Sequence, residues 1–228
     1  MKILWVCNTL PRIAAEAAGS QVDNKEGWLD GALRGITMTD PSDTGMDIEL
    51  AIAYPCDILS DKSAVSDHKT VTLGKGSTVR LYGYTDDRRT PEIYRPELEK
   101  EFAGIIADFE PDLVHLFGTE YGHNLAVGRT VGGLRKTGSP IKLLIGIQGI
   151  ISECAKVYSD GVPRNVKRNK TFRDRVRDDN ILRQQQKFMD RGEFELETVT
   201  YATDITGRTD FDREWCRIHN PNAVYYHM

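Results

Sequence analysis

Three short, nearly uninterrupted apolar runs constrain this chain most: Ile-Leu-Trp-Val-Cys-Asn over residues 3–8, Leu-Val-His-Leu-Phe over 113–117, and residues 141–147. A strand takes this form when both of its faces are buried, as in the interior of a parallel sheet. The segments around these runs carry a helical period instead. Gly27-Trp28-Leu29 opens a helix with Trp28, Leu29, Ala32, Leu33 and Ile36 on one stripe, and Asp23 and Glu26 are placed to cap it. Pro96 starts another with Leu98, Phe102, Ile105, Ile106 and Phe109, closed by Pro111.

The remaining elements fall between these anchors. Residues 9–26 read as a polar, flexible stretch. Residues 48–54 read as a strand ended by Pro55, and 69–73 and 77–84 as strands joined through Gly74-Lys75-Gly76. Gly118 to Gly122 turns into a helix carrying Val127, Val131 and Leu134, with Gly138 and Pro140 at its end. Beyond the third run come a short helix over 152–158 and a mobile connection over 161–170. A long polar helix follows, with sparse apolar positions at Phe172, Val176, Phe188, Leu196 and Val199. A strand over 204–209, a helix over 210–219 and a strand over 223–227 complete the chain. Strands alternating with helices on short connections predict an α/β fold, a Rossmann-like open, mostly parallel sheet with helices on both faces. No repeat or linker divides the 228 residues, so 1–228 is expected to form one domain.

Composition narrows the partners. With 39% hydrophobic and 28% charged residues and no long apolar run, the chain reads as soluble, and its opening apolar run is too short for a signal peptide. Cys7, Cys56, Cys154 and Cys216 are scattered without a Cys-x-x-Cys, so neither a metal site nor a disulfide framework is indicated and buried, reduced thiols in the cytoplasm are expected. A net charge of -4 argues against nucleic acid. Residues 164–191 are nevertheless locally basic, which reads either as a solvated face or as an attractor of phosphates or an anionic membrane surface, the latter placing the chain at the inner face of a membrane.

In an open α/β sheet, ligands bind beyond the carboxyl ends of the strands, where the strand order reverses. That rule selects the loops beginning at Asn8, Gly118, Gln148 and Thr209. Within them Glu120 and His123 could bind sugar hydroxyls or handle a proton, or instead cap a helix and stand partly exposed. His115, inside a strand, reads as a core histidine, and Gln148-Gly149 reads equally as a strand-ending turn. No Gly-x-Gly-x-x-Gly follows the first strand, and no P-loop, Gly-x-Ser-x-Gly or His-Glu-x-x-His is present.

Several runs, in order along the chain, resemble the N-terminal domain of family 4 glycosyltransferases of the GT-B fold. They are Met1-Lys-Ile-Leu-Trp-Val-Cys-Asn8, Gly27-Trp28-Leu29, Pro111-Asp-Leu-Val-His-Leu-Phe-Gly-Thr-Glu-Tyr121, Ile147-Gln-Gly149 and Gly207-Arg-Thr-Asp-Phe-Asp212 with Asn220-Pro-Asn222. The resemblance implies metal-independent transfer of a sugar, with retention, from a nucleotide donor to a glycan or lipid-linked acceptor, and no cofactor. It makes this the acceptor-side half, inactive alone, with the nucleotide-sugar domain expected in a continuation beyond Met228. A sugar-nucleotide epimerase of the same fold and a noncatalytic glycan- or nucleotide-binding module remain alternatives. On this reading Asn8, Gly27, Gly118, Thr119, Gln148, Gly149 and Arg208 are candidate substrate contacts, and Glu120 and His123 the catalytic candidates. The chain departs from the pattern at Glu26, where many relatives have glycine, and at Phe117 and Gln148, where many have histidine. The role of those histidines would then pass to Glu120, His123 or Gln148.

Overall fold

The computed structural model describes residues 1–19, 27–38, 47–57, 69–73, 76–87, 89–177 and 179–228. Asp23, Glu26, Gly74 and Lys75 lie outside them, and with them the expected cap and the start of the expected turn. The elements are β1 (Lys2–Val6), α1 (Arg12–Ala18), α2 (Gly27–Met38), β2 (Glu49–Asp57), β3 (Lys69–Thr72), β4 (Thr78–Asp86), α3 (Glu97–Phe109), β5 (Leu113–Phe117), α4 (Gly122–Lys136), β6 (Lys142–Gly146), α5 (Ile151–Val157), α6 (Arg164–Arg168), α7 (Phe172–Arg177), α8 (Ile181–Thr200), β7 (Asp204–Gly207), α9 (Asp210–His219) and β8 (Val224–His227).

All eight strands join one sheet in the order β3-β4-β2-β1-β5-β6-β7-β8. Every pairing is parallel except that of β3 with β4. Successive residues of a strand point to opposite faces, so an uninterrupted apolar run feeds two cores at once. Leu4, Val6, Val114, Leu116, Leu143 and Ile145 face Phe102, Val127, Val199 and Trp215 of α3, α4, α8 and α9. Ile3, Trp5, Leu50, Ile52 and Leu81 face Ala14, Leu29 and Leu33 of α1 and α2. The fold is the expected Rossmann-like α/β sheet with helices on both faces.

Four local expectations are corrected. Residues 12–18 form α1 rather than a flexible stretch; it packs through Ala14, Ala15 and Ala18, whose small side chains favour helix but carry little hydrophobic signal. β2 continues through Pro55, because beyond Ala53 it pairs with β4 alone and a residue without an N–H is tolerated on such an edge. The long polar helix is two: α7 ends at Arg177 and α8 begins after Asn180, whose side chain accepts a hydrogen bond from the Arg183 N–H as its cap. The connection over 161–170 contains the short helix α6. The four cysteines are all unbridged, as expected, but Cys154 is exposed and Cys56 half-buried.

Candidate functional site

From β1 the chain steps to β2 on one side and later enters β5 on the other, so the sheet's switch point lies between β1 and β5. Asn8 follows the first of these strands and Gly118 the second. Gly118 has φ 98°, a left-handed conformation that favours glycine, and its N–H donates to the Gly146 carbonyl at 3.0 Å. This turn brings the chain into α4, which starts at Gly122 behind Tyr121 with no side-chain cap. The Asn124 and Leu125 N–H groups turn back to the Tyr121 carbonyl, at 3.0 and 3.3 Å.

His123, in that first turn, joins three elements. Its Nδ1 lies 3.1 Å from Oδ2 of Asp86 at the end of β4, and its Nε2 lies 3.0 Å from Oδ1 of Asn8. Asn8 in turn donates through Nδ2 to the Phe117 carbonyl at 3.3 Å. Tyr121 stacks on the imidazole at 5.4 Å between ring centroids, and Tyr84 packs at 5.1 Å. The ring is only 2% exposed, so the expected partly exposed histidine is instead a buried one. With both nitrogens engaged, it acts by holding Asn8 in place.

Asn124, the next residue, was not singled out from the sequence. It is fully buried, and among the described residues neither its Nδ2 nor its Oδ1 has a hydrogen-bond partner. A Cβ placed on Gly118 would stand between two carboxamides, 3.8 Å from Nδ2 of Asn124 and 3.9 Å from Nδ2 of Asn8. An unpaired buried amide costs about 1–3 kcal/mol of stability.

Glu120 lies before the helix start and does not cap it. Its carboxylate meets the Arg191 guanidinium of α8 at 2.7 Å, and that guanidinium lies 4.9 Å from the Tyr121 ring centroid. Thr119 donates from Oγ1 to Glu195 at 2.8 Å. Glu195 is fully buried and also accepts the N–H groups of Ile151, at 3.1 Å, and Ser152, at 2.8 Å, which caps α5. Burial pushes its carboxyl pKa up, and the bonds from Ser152, Thr119 and Ile151 oppose that shift. One cue pointed to Glu195: it occupies an apolar-stripe position of α8, four residues before the buried Val199.

The remaining candidates sit along the same carboxyl edge. Arg208, after β7, donates to the Gln148 carbonyl, after β6, at 2.7 Å. Gly149 is exposed, and so is Gly27 at the start of α2, where the neighbouring Trp28 touches Phe117 at 5.4 Å between centroids. His115 turns to the α1–α2 face against Phe117 and Trp5, and burial lowers its pKa to about 4. Among the described residues, no three His, Cys, Asp or Glu side chains converge to hold a metal ion.

No family model matches this chain, and no curated protein matches it. Among solved structures it is similar to sucrose-phosphate synthase from Thermosynechococcus elongatus, with TM-score 0.51 and 9% identity, over 100% of this chain and 47% of that one. It is also similar to UDP-GlcNAc 2-epimerase from Methanocaldococcus jannaschii, with TM-score 0.48 and 12% identity, over 100% of this chain and 45% of that one. The chain thus spans about half the length of either. At this identity the first likeness is one of fold, that of a Rossmann-like GT-B half, and the resemblance to family 4 rests on the sequence motifs alone.

Proposed function

We propose that this chain is the acceptor-side half of a retaining, metal-independent GT-B glycosyltransferase. It would receive a glycan or lipid-linked acceptor while a second Rossmann-like half holds the nucleotide-sugar donor. The single observation that carries this reading is the half-buried Asn8 carboxamide, held at the switch point by His123 and the Phe117 carbonyl. A carboxamide offers one donor group and one acceptor oxygen, which match hydroxyls that both give and take hydrogen bonds. Asn8 stands across Gly118 and is fixed by His123, which Asp86 orients in turn. Glu120 braced by Arg191, and Thr119 by Glu195, hold the loop that leads into α4. The contribution to rate is positioning of an acceptor hydroxyl, since Asp86 and Glu120, the carboxylates of this cluster, are engaged by His123 and Arg191.

The chain is predicted to be inactive alone, so the test uses the polypeptide that carries it together with a second half. Acceptors are screened for sugar transfer from nucleotide donors, and Asn8→Ala is compared with wild type. A raised KM for acceptor with donor binding unchanged supports the reading. Epimerisation of the donor sugar without any acceptor, or robust transfer by the isolated chain, overturns it.

A further inference from the structure

The segment joining α5 to α8 forms an arm built from α6, α7 and the residues between them. Its place in the fold is set by α8. Glu195 meets Thr119 just beyond β5, Arg191 meets Glu120 one turn earlier, and Lys187 meets Glu92, beyond β4, another turn earlier at 3.5 Å. Read toward its N-terminus, α8 therefore climbs past the carboxyl ends of the strands, and the arm emerges at the same end as the switch point.

The arm carries Arg164, Lys167, Arg168, Lys170, Arg173 and Arg175, with Asp174 as its one acid through residue 176. Asp174 accepts the Thr171 N–H at 2.9 Å. Among the described residues none of the six cations is in an ion pair, whereas Arg12, Arg80, Arg89, Arg129, Arg191, Arg213 and Arg217 all are. Apolar side chains stand among these charges. Phe172 is 84% exposed, Val176 68% and Val166 52%, and α6 buries no residue at all. The Thr171 N–H, with Arg173 and Lys170, holds the Asp174 carboxyl below its usual range, and the three apolar side chains stay exposed.

We propose that the arm docks on an anionic phospholipid surface, with its cations against headgroup phosphates and Phe172, Val166 and Val176 at the acyl boundary. Unpaired cations interleaved with exposed apolar side chains match that surface on both counts, charge and apolar contact. Nucleic acid matches the charge but leaves the two valines exposed, and base stacking would draw on one aromatic only. The inference does not depend on sugar transfer. Where both hold, docking brings the switch-point end of the sheet to the membrane, where a lipid-linked acceptor would reside.

The test is partition of the chain onto phosphatidylcholine vesicles with and without phosphatidylglycerol. Binding is expected only with the anionic lipid, weakening as salt rises. Each cation near such a surface accounts for about a fivefold change in partition, so Arg173→Gln with Arg175→Gln should weaken binding by at least about tenfold. Phe172→Ser should weaken it with the melting temperature unchanged. Phe172→Trp supplies a second reading that needs no loss of binding, a blue shift of its emission on anionic vesicles. Partition indifferent to phosphatidylglycerol, no partition, no emission shift, or tighter binding to single-stranded RNA than to vesicles overturns the proposal.

Discussion

The Nδ1 atom of His123 lies 3.1 Å from the Asp86 carboxylate, tying the first turn of α4 to the end of β4 across the carboxyl edge of the sheet. With its other nitrogen on Asn8, the buried imidazole is a strut between three elements. It stands where a parallel α/β sheet binds its ligand.

Removing that strut should cost both stability and activity. His123→Ala removes a hydrogen-bond partner from the half-buried Asp86 and Asn8 side chains and the ring from between Tyr84 and Tyr121, for about 1–3 kcal/mol of destabilisation by denaturant unfolding. If the proposed function holds, kcat/KM of a polypeptide carrying this chain with a second half should fall at least about tenfold, an effect of at least about 1.4 kcal/mol on the barrier. Turnover unchanged in His123→Ala contradicts any role for the ring in the site.

Glu120 and Arg191 offer a cleaner distinction. If Glu120 acts by bracing the loop, Glu120→Arg with Arg191→Glu should recover much of what either single change loses, as a double-mutant cycle in activity reports. If the carboxylate itself handles a proton, the swapped pair stays as inactive as Glu120→Arg alone.

The packing of α4 on α8 depends on glycine. A Cβ at Gly132 would lie 2.5 Å from Cδ1 of the Tyr201 ring, and one at Gly128 would lie 2.9 Å from Cδ2. Gly132→Ala should destabilise by about 1–3 kcal/mol through overpacking, and adding Tyr201→Ala should return part of that loss. Gly133→Ala on the same helix, where the added Cβ meets nothing within 4 Å, is the control expected to be neutral or slightly stabilising.

His115 sets a pH dependence. Its pKa falls from the ordinary 6.5 to about 4 on folding, so between those values the unfolded chain binds more protons than the folded one. Its contribution is therefore complete above about pH 6.5 and is lost as pH falls toward 4. The wild-type melting temperature should drop more between pH 7 and pH 5 than that of His115→Phe, by a few degrees for each 1 kcal/mol involved. Parallel profiles contradict this.

Sequence and structure agree where the apolar pattern is strong. The runs at 113–117 and 141–147 give strands because apolar residues at successive positions fit only a doubly covered sheet. Thr209 with Asp212 forms a reciprocal cap that starts α9. What escaped was set by distant partners. Glu195 approaches Thr119 across 76 positions, and Asn8 reaches His123 across 115. No window along the chain contains either pair. The buried ring of His123 and the unpaired Asn124 emerged only once β1, β4 and α4 were seen side by side.

On the proposed function, the carboxyl edge beside Asn8 and Gly118 receives the acceptor of a sugar-transfer reaction. The most direct measurement is steady-state transfer from a nucleotide sugar by a polypeptide carrying this chain with a second half, with acceptor and donor varied in turn, for wild type and Asn8→Ala. An acceptor KM raised at least about tenfold is expected, the loss of one polar contact of roughly 1.4 kcal/mol, with the donor KM unchanged. A change confined to the donor KM, or identical kinetics in the two proteins, would contradict it.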